Sequence, residues 1–191
     1  MATSKTEICN LALQKLGAKR ISDFDEDSVN ARACRSAYPM VLEAELRAHL
    51  WSFAVGRATL AEEATAPSWG RAHQYQLPSD FLRLANDYAE DNTIDKDWVI
   101  EGRFILTDDI APLYLRYVKL VTDTTQYDSL FCKALAAKLA EEMCEQLTQS
   151  NSKKAEAKAD YKDAIKEARR INGIERGPQV SPDSEWIARR F

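Results

Sequence analysis

Apolar positions near the start of the chain, Ile8, Leu11, Ala12, Leu13 and Leu16, recur at helical spacing. Ser4 stands before them with Glu7 three positions later. That is the spacing of a capping box, in which each side chain satisfies a free backbone amide of the other residue. Gly17 supplies the stop, so a first helix is predicted between these signals. The polar stretch 18–27 carries Asp23, Asp25, Glu26 and Asp27 but lacks the glycine and spaced final glutamate of an EF-hand. It reads as a solvated loop. Ser28 then caps a second stripe through Val29, Ala33, Ala37, Met40, Val41, Ala44, Leu46 and Leu50, predicted to reach Trp51. Pro39 removes one backbone hydrogen bond within it and crowds the preceding turn, so a kink or a break into two helices is expected near Tyr38.

After Trp51-Ser-Phe-Ala the period changes. Residues 56–122 contain no long helical stripe and several short runs rich in aromatic and β-branched residues. In Trp98-Val-Ile-Glu-Gly-Arg-Phe-Ile-Leu, two apolar runs flank Glu101-Gly102 and predict a hairpin in which Gly102 takes a positive φ. The run from Leu113 to Val121 alternates with period two and predicts another strand. Trp51 and Phe53 are expected in the core, where the helices meet this insertion. From Tyr127 the helical period returns: Phe131, Leu135, Leu139, Met143 and Leu147 step by four, with Ala134, Ala136, Ala137 and Ala140 between them. Such a stripe calls for a helical partner at close approach. A charged helix over 152–172, with Tyr161 and Ile165 as its large apolar residues, should pack on one narrow seam and end at Gly173.

The fold class is therefore mainly α with a small β insertion (α+β). Residues 1–55 and 123–175 form an elongated helical bundle, 56–122 the β-rich insertion and 176–191 an extended C-terminal tail. The tail joins Trp186, Ile187 and Phe191 to Arg189 and Arg190 after a proline-broken polar linker. Trp and Arg are enriched at interface anchor points, which favours a docking segment; the alternative is a tail folded onto its own domain.

Composition narrows the function. With 191 residues, 45% of them hydrophobic and 29% charged, the chain falls in the globular range. It carries no apolar run of bilayer length and no signal-peptide pattern at its start, so a soluble, unsecreted protein is expected. A net charge of -4 argues against a broad basic face for nucleic acid. Cys9, Cys34, Cys132 and Cys144 lie far apart in apolar helical contexts and read as reduced core residues. His49 and His73 are the only histidines, in no zinc-binding spacing, and the six glycines form no phosphate loop. No cofactor or metal is expected, and no enzymatic activity. Glu141, Glu142 and Glu145 offer paired carboxylates in principle, but Glu142 and Glu145 fall on the polar side of their stripe. Ser79-Asp80 after Pro78 reads as a turn or cap.

Several segments taken in chain order carry a resemblance. They begin with Glu7-Ile-Cys-Asn-Leu-Ala-Leu-Gln-Lys-Leu-Gly17 and the acidic loop, then Ala37-Tyr-Pro-Met-Val-Leu-Glu-Ala-Glu-Leu-Arg47 running into His49-Leu-Trp-Ser-Phe-Ala54 and Arg57. Next come Tyr75-Gln-Leu-Pro-Ser-Asp-Phe-Leu-Arg83, Trp98 to Leu106 with Thr107-Asp108, and Tyr117-Val118 with Thr122-Asp123. The helix from Phe131 and the ending Asp183-Ser-Glu-Trp-Ile-Ala-Arg189 complete the series. Together these resemble the head-to-tail adaptor proteins of short-tailed phages, also called tail tubular protein A. The likeness runs from about residue 5 to 190 and rests on the shared order of its pieces.

The resemblance implies a virion structural protein, made in the host bacterial cytoplasm. It implies a homo-oligomeric ring, usually a dodecamer, between the portal protein and the tail nozzle or tube. The genomic DNA would pass through the lumen without specific binding, and no membrane is involved. On this reading Trp186, Ile187, Arg189, Arg190 and Phe191 dock on the portal or a neighbour. Glu101, Gly102 and Arg103 make a ring or nozzle contact. Two rivals stand beside it: a generic helical protein-interaction module using the charged helix 152–172, and a cell-wall-lytic tail protein using Glu141, Glu142 or Asp80.

Overall fold

The computed structural model describes residues 4–85 and 97–176. They form an α+β fold of four helices and two small antiparallel sheets, in two compact units. One unit comprises the described residues up to Ala54 together with Leu120–Arg176; the other lies within Val55–Lys119.

The first unit is a helical bundle of α1 (Lys5–Leu16), α2 (Val29–Ala48), α3 (Ser129–Thr148) and α4 (Asn151–Glu175). The capping box forms as the spacing predicts: Ser4 Oγ accepts from the Glu7 amide at 3.1 Å, and the Glu7 carboxylate accepts from the Ser4 amide at 2.9 Å. Gly17 ends α1 with a φ of 70°, a left-handed conformation that costs glycine little. Helix α3 packs against all three others. Its alanines Ala134, Ala136, Ala137 and Ala140 are buried together with Phe131, Leu135, Leu139 and Met143, so small side chains let neighbouring backbones come close. Along α4 the seam is Ala157, Ala164, Ile165, Ala168 and Asn172.

Two helix ends differ from the sequence expectation. Helix α2 runs unbroken through Pro39 and stops at Ala48, before Trp51. Burial of Tyr38, Val41 and Leu42 on either side of the exposed Pro39 offsets the one missing hydrogen bond. The helix stops because His49 is extended, at φ -140° and ψ 157°. Helix α4 continues through Gly173 to Glu175, since this glycine does not adopt the positive φ that would turn the chain. Asn172 also anchors the helix there. Its Oδ1 accepts from the Ser52 amide at 3.0 Å and from Ser52 Oγ at 2.7 Å, while its Nδ2 donates to the Leu50 carbonyl at 3.0 Å.

Trp51 is buried among aromatic rings, its centroid 4.9 Å from that of Phe131 at a steep angle, with Phe53 5.1 Å from the same ring. Its indole N–H donates to the Glu45 carbonyl at 2.9 Å, satisfying the one polar atom it brings into the core.

The second unit carries β1 (Val55–Leu60), β2 (His73–Gln76), β3 (Phe81–Leu84), β4 (Val99–Glu101), β5 (Phe104–Thr107) and β6 (Leu113–Lys119). Their order is β1-β6-β3 in one sheet and β2-β5-β4 in the other. Leu113, Leu115 and Tyr117 alternate inward from β6 and meet Leu60, Leu77, Tyr75 and Ile105 in one core, whereas Tyr114 between them is 70% exposed. The strand ends at Lys119, two residues short of the predicted Val121.

Candidate docking surfaces

The β4–β5 hairpin forms where the sequence predicts it. Glu101 pairs with Phe104, which leaves Gly102-Arg103 as a two-residue turn. Gly102 has a φ of 58°, and a methyl group added to it would meet nothing within 4 Å. Glycine is needed there for its backbone freedom and not for space. Arg103 is tied inward: its guanidinium donates to the Pro78 carbonyl at 2.5 Å, and its own carbonyl accepts from the Leu77 amide at 2.9 Å. Among the three hairpin residues singled out from the sequence, Glu101 alone keeps an exposed charge that is engaged by no hydrogen bond or ion pair among the described residues.

The register of β2-β5-β4 sorts its side chains. Tyr75 faces Ile105 across one row, and both are fully buried. The neighbouring rows, Gln74–Leu106–Val99 and Gln76–Phe104–Glu101, fall on the opposite face, because strand side chains alternate. This open face is the floor of a cavity of about 390 Å³, closed on one side by Pro67, Trp69 and Arg71 from the β1–β2 connection. Trp69 is 87% exposed.

The loop bearing Trp69 is held by charge. Arg71 pairs with Asp97 and, at 2.8 Å, with Asp108. Asp108 also accepts from the Ala72 amide at 2.9 Å. That amide, followed by the Arg71 guanidinium, holds the Asp108 carboxyl below the usual carboxylate range; the two carboxylates in turn push Arg71 up. Trp69, missed in the reading of the sequence, had one local signal: a large aromatic set between Ser68 and Gly70 in a stretch otherwise built of turn residues.

The helical unit exposes Val29, Met40 and Ile174, each more than half accessible, and Leu11 at 45%. Leu11 borders a shallow groove with Lys15, Lys133 and Ala136, but Lys15 is paired with Asp160 at 2.7 Å and Lys133 with Glu167 at 3.8 Å.

The carboxylates considered for lytic chemistry all have partners. Lys138 bridges Glu141 at 3.0 Å and Glu142 at 2.8 Å. Glu145 pairs with Lys154 at 2.6 Å, which lowers its pKa. Asp80 accepts from the Tyr117 hydroxyl at 3.0 Å; burial first, and then this carboxylate, push Tyr117 up to about 12. The four cysteines are buried and unbridged. Among the described residues no group of His, Cys, Asp and Glu is arranged to hold a metal, and no helix is long and apolar enough to cross a membrane. Trp186, Ile187, Arg189, Arg190 and Phe191 lie outside the described residues.

Compared with known protein-family models and with curated proteins, the chain matches none.

Proposed function

We propose that the chain is a structural adaptor subunit of a phage head-to-tail connector. About twelve copies would close into a ring that joins the portal to the tail nozzle or tube around the DNA channel. The observation that carries this reading is the ordered series of segments from Glu7 to Arg189 that resembles the adaptor family along nearly the whole chain. Two features support it physically. A ring subunit touches neighbours on two lateral faces and partners on two axial ones, and exposed apolar side chains occur on both units of this chain: Met40 and Ile174 on the helices, Trp69 and Ile110 on the β unit. The mild negative charge suits a channel wall that DNA must slide past, because exposed like charges repel phosphates.

In this assembly the segment carrying Trp186, Ile187, Arg189, Arg190 and Phe191 docks on the portal or on a neighbouring copy. The hairpin at Glu101, Gly102 and Arg103 contributes a ring or nozzle contact. Deleting residues 181–191 tests the first assignment. The truncated chain is expected to keep its helical circular-dichroism signal and its cooperative melting, and to lose assembly on portal rings. A truncated chain that assembles as well as the full one would contradict it.

A further inference from the structure

Val99, Phe104 and Leu106 stand on the sheet face turned away from the core, and Trp69, 87% exposed, lines the same cavity. An indole left in solvent on a loop that a double ion pair holds in place has the character of a preformed anchor. We propose that this groove receives residues 177–191 of a neighbouring copy. Trp186 and Phe191 would enter its apolar floor, and Arg189 and Arg190 would lie against Glu101 and the face of Trp69. The inference deepens the adaptor reading by naming the occupant of one contact between copies, and it rests on that reading for the existence of neighbours.

Three observations favour this occupant. The first is charge: of the two charged residues that line the cavity, Arg71 is already paired with Asp97 and Asp108, which leaves the unengaged carboxylate of Glu101, and the segment brings two adjacent arginines. Arginine over an indole face adds cation–π attraction. The second is size. A cavity of about 390 Å³ is small for a folded domain but within the range of pockets that enclose a few large side chains. The third is reach: fifteen residues follow Arg176, and extended at about 3.3 Å each they span up to about 50 Å, more than the roughly 30 Å diameter of a small domain.

The test uses a fluorescein-labelled peptide of residues 177–191 titrated into the full-length chain carrying W186A and F191A, whose own segment no longer competes. Saturable anisotropy is expected, weakened at least about thirtyfold by adding W69A, which removes an exposed anchor and leaves the fold intact. Adding E101K should weaken it severalfold and reduce its salt dependence. L11A, in the helical unit, should change nothing.

Binding that W69A leaves untouched, or that L11A abolishes, would overturn the proposal, as would no binding up to millimolar protein. Sedimentation of the wild-type chain supplies the second arm. Mass that grows with concentration, and less so in W69A, is expected. Peptide binding by a chain that stays a single copy throughout would place the segment in its own groove and overturn the contact between copies. Failure here with ring assembly on portals intact would sink this contact alone, whereas peptide binding without any assembly on portals would sink the adaptor reading instead.

Discussion

Asp108 joins two parts of the β unit, since its carboxylate receives the Ala72 amide and the Arg71 guanidinium while its own backbone directly follows β5. Its pKa lies below the ordinary value in the folded chain, so its contribution to stability is complete above the unfolded carboxylate pKa of about 3.9. That contribution is lost as pH falls through the lowered folded value. The thermal midpoint is therefore expected to drop on acidification below about pH 4, and D108N should lower the midpoint at neutral pH while flattening part of that drop. Melting curves followed by circular dichroism between pH 2.5 and 7 check this; a D108N profile parallel to the wild type would contradict it. Which residues could be read beforehand followed from distance along the chain. Ser4, Glu7 and Gly17 act on neighbours within a turn, and their roles were legible. Asn172 holds Ser52 across 120 positions and Trp69 belongs to no periodic pattern, so neither gave a signal that local rules detect.

At the scale of elements, the helices and the hairpin followed from periodicity, whereas two of the helix ends did not. Pro39 predicts a kink or a break and Gly173 a stop, because the penalties of proline and glycine are local. Whether either signal acts depends on packing that only the folded chain provides, and around Pro39 the buried Tyr38, Val41 and Leu42 hold α2 together. The surviving defect can be measured. Pro39 is exposed, so P39A removes no packing and restores a backbone hydrogen bond, and it should stabilise the chain by about 1–2 kcal/mol after allowing for the more flexible denatured state. Urea unfolding gives the value. A destabilised P39A would mean that α2 depends on the shape proline imposes.

For the whole molecule, the α+β composition was legible because helical and strand periods alternate in long blocks along the sequence. The groove under Trp69 was not. It needs the register of three strands, Gln74 with Leu106 and Leu106 with Val99, which no window of sequence contains. The docking role proposed for residues 177–191 rests on sequence chemistry alone, on Trp186, Ile187 and Phe191 beside two arginines. Assembly is therefore the deciding property, and the direct measurement is the mass of the purified protein alone and then mixed with the portal ring from the same genome. Growth of the portal species by a fixed multiple of 21.6 kDa, near twelve, is the predicted result. A portal peak that does not grow, beside a chain that remains monomeric or dimeric throughout, would contradict it and leave the binding-module reading in its place.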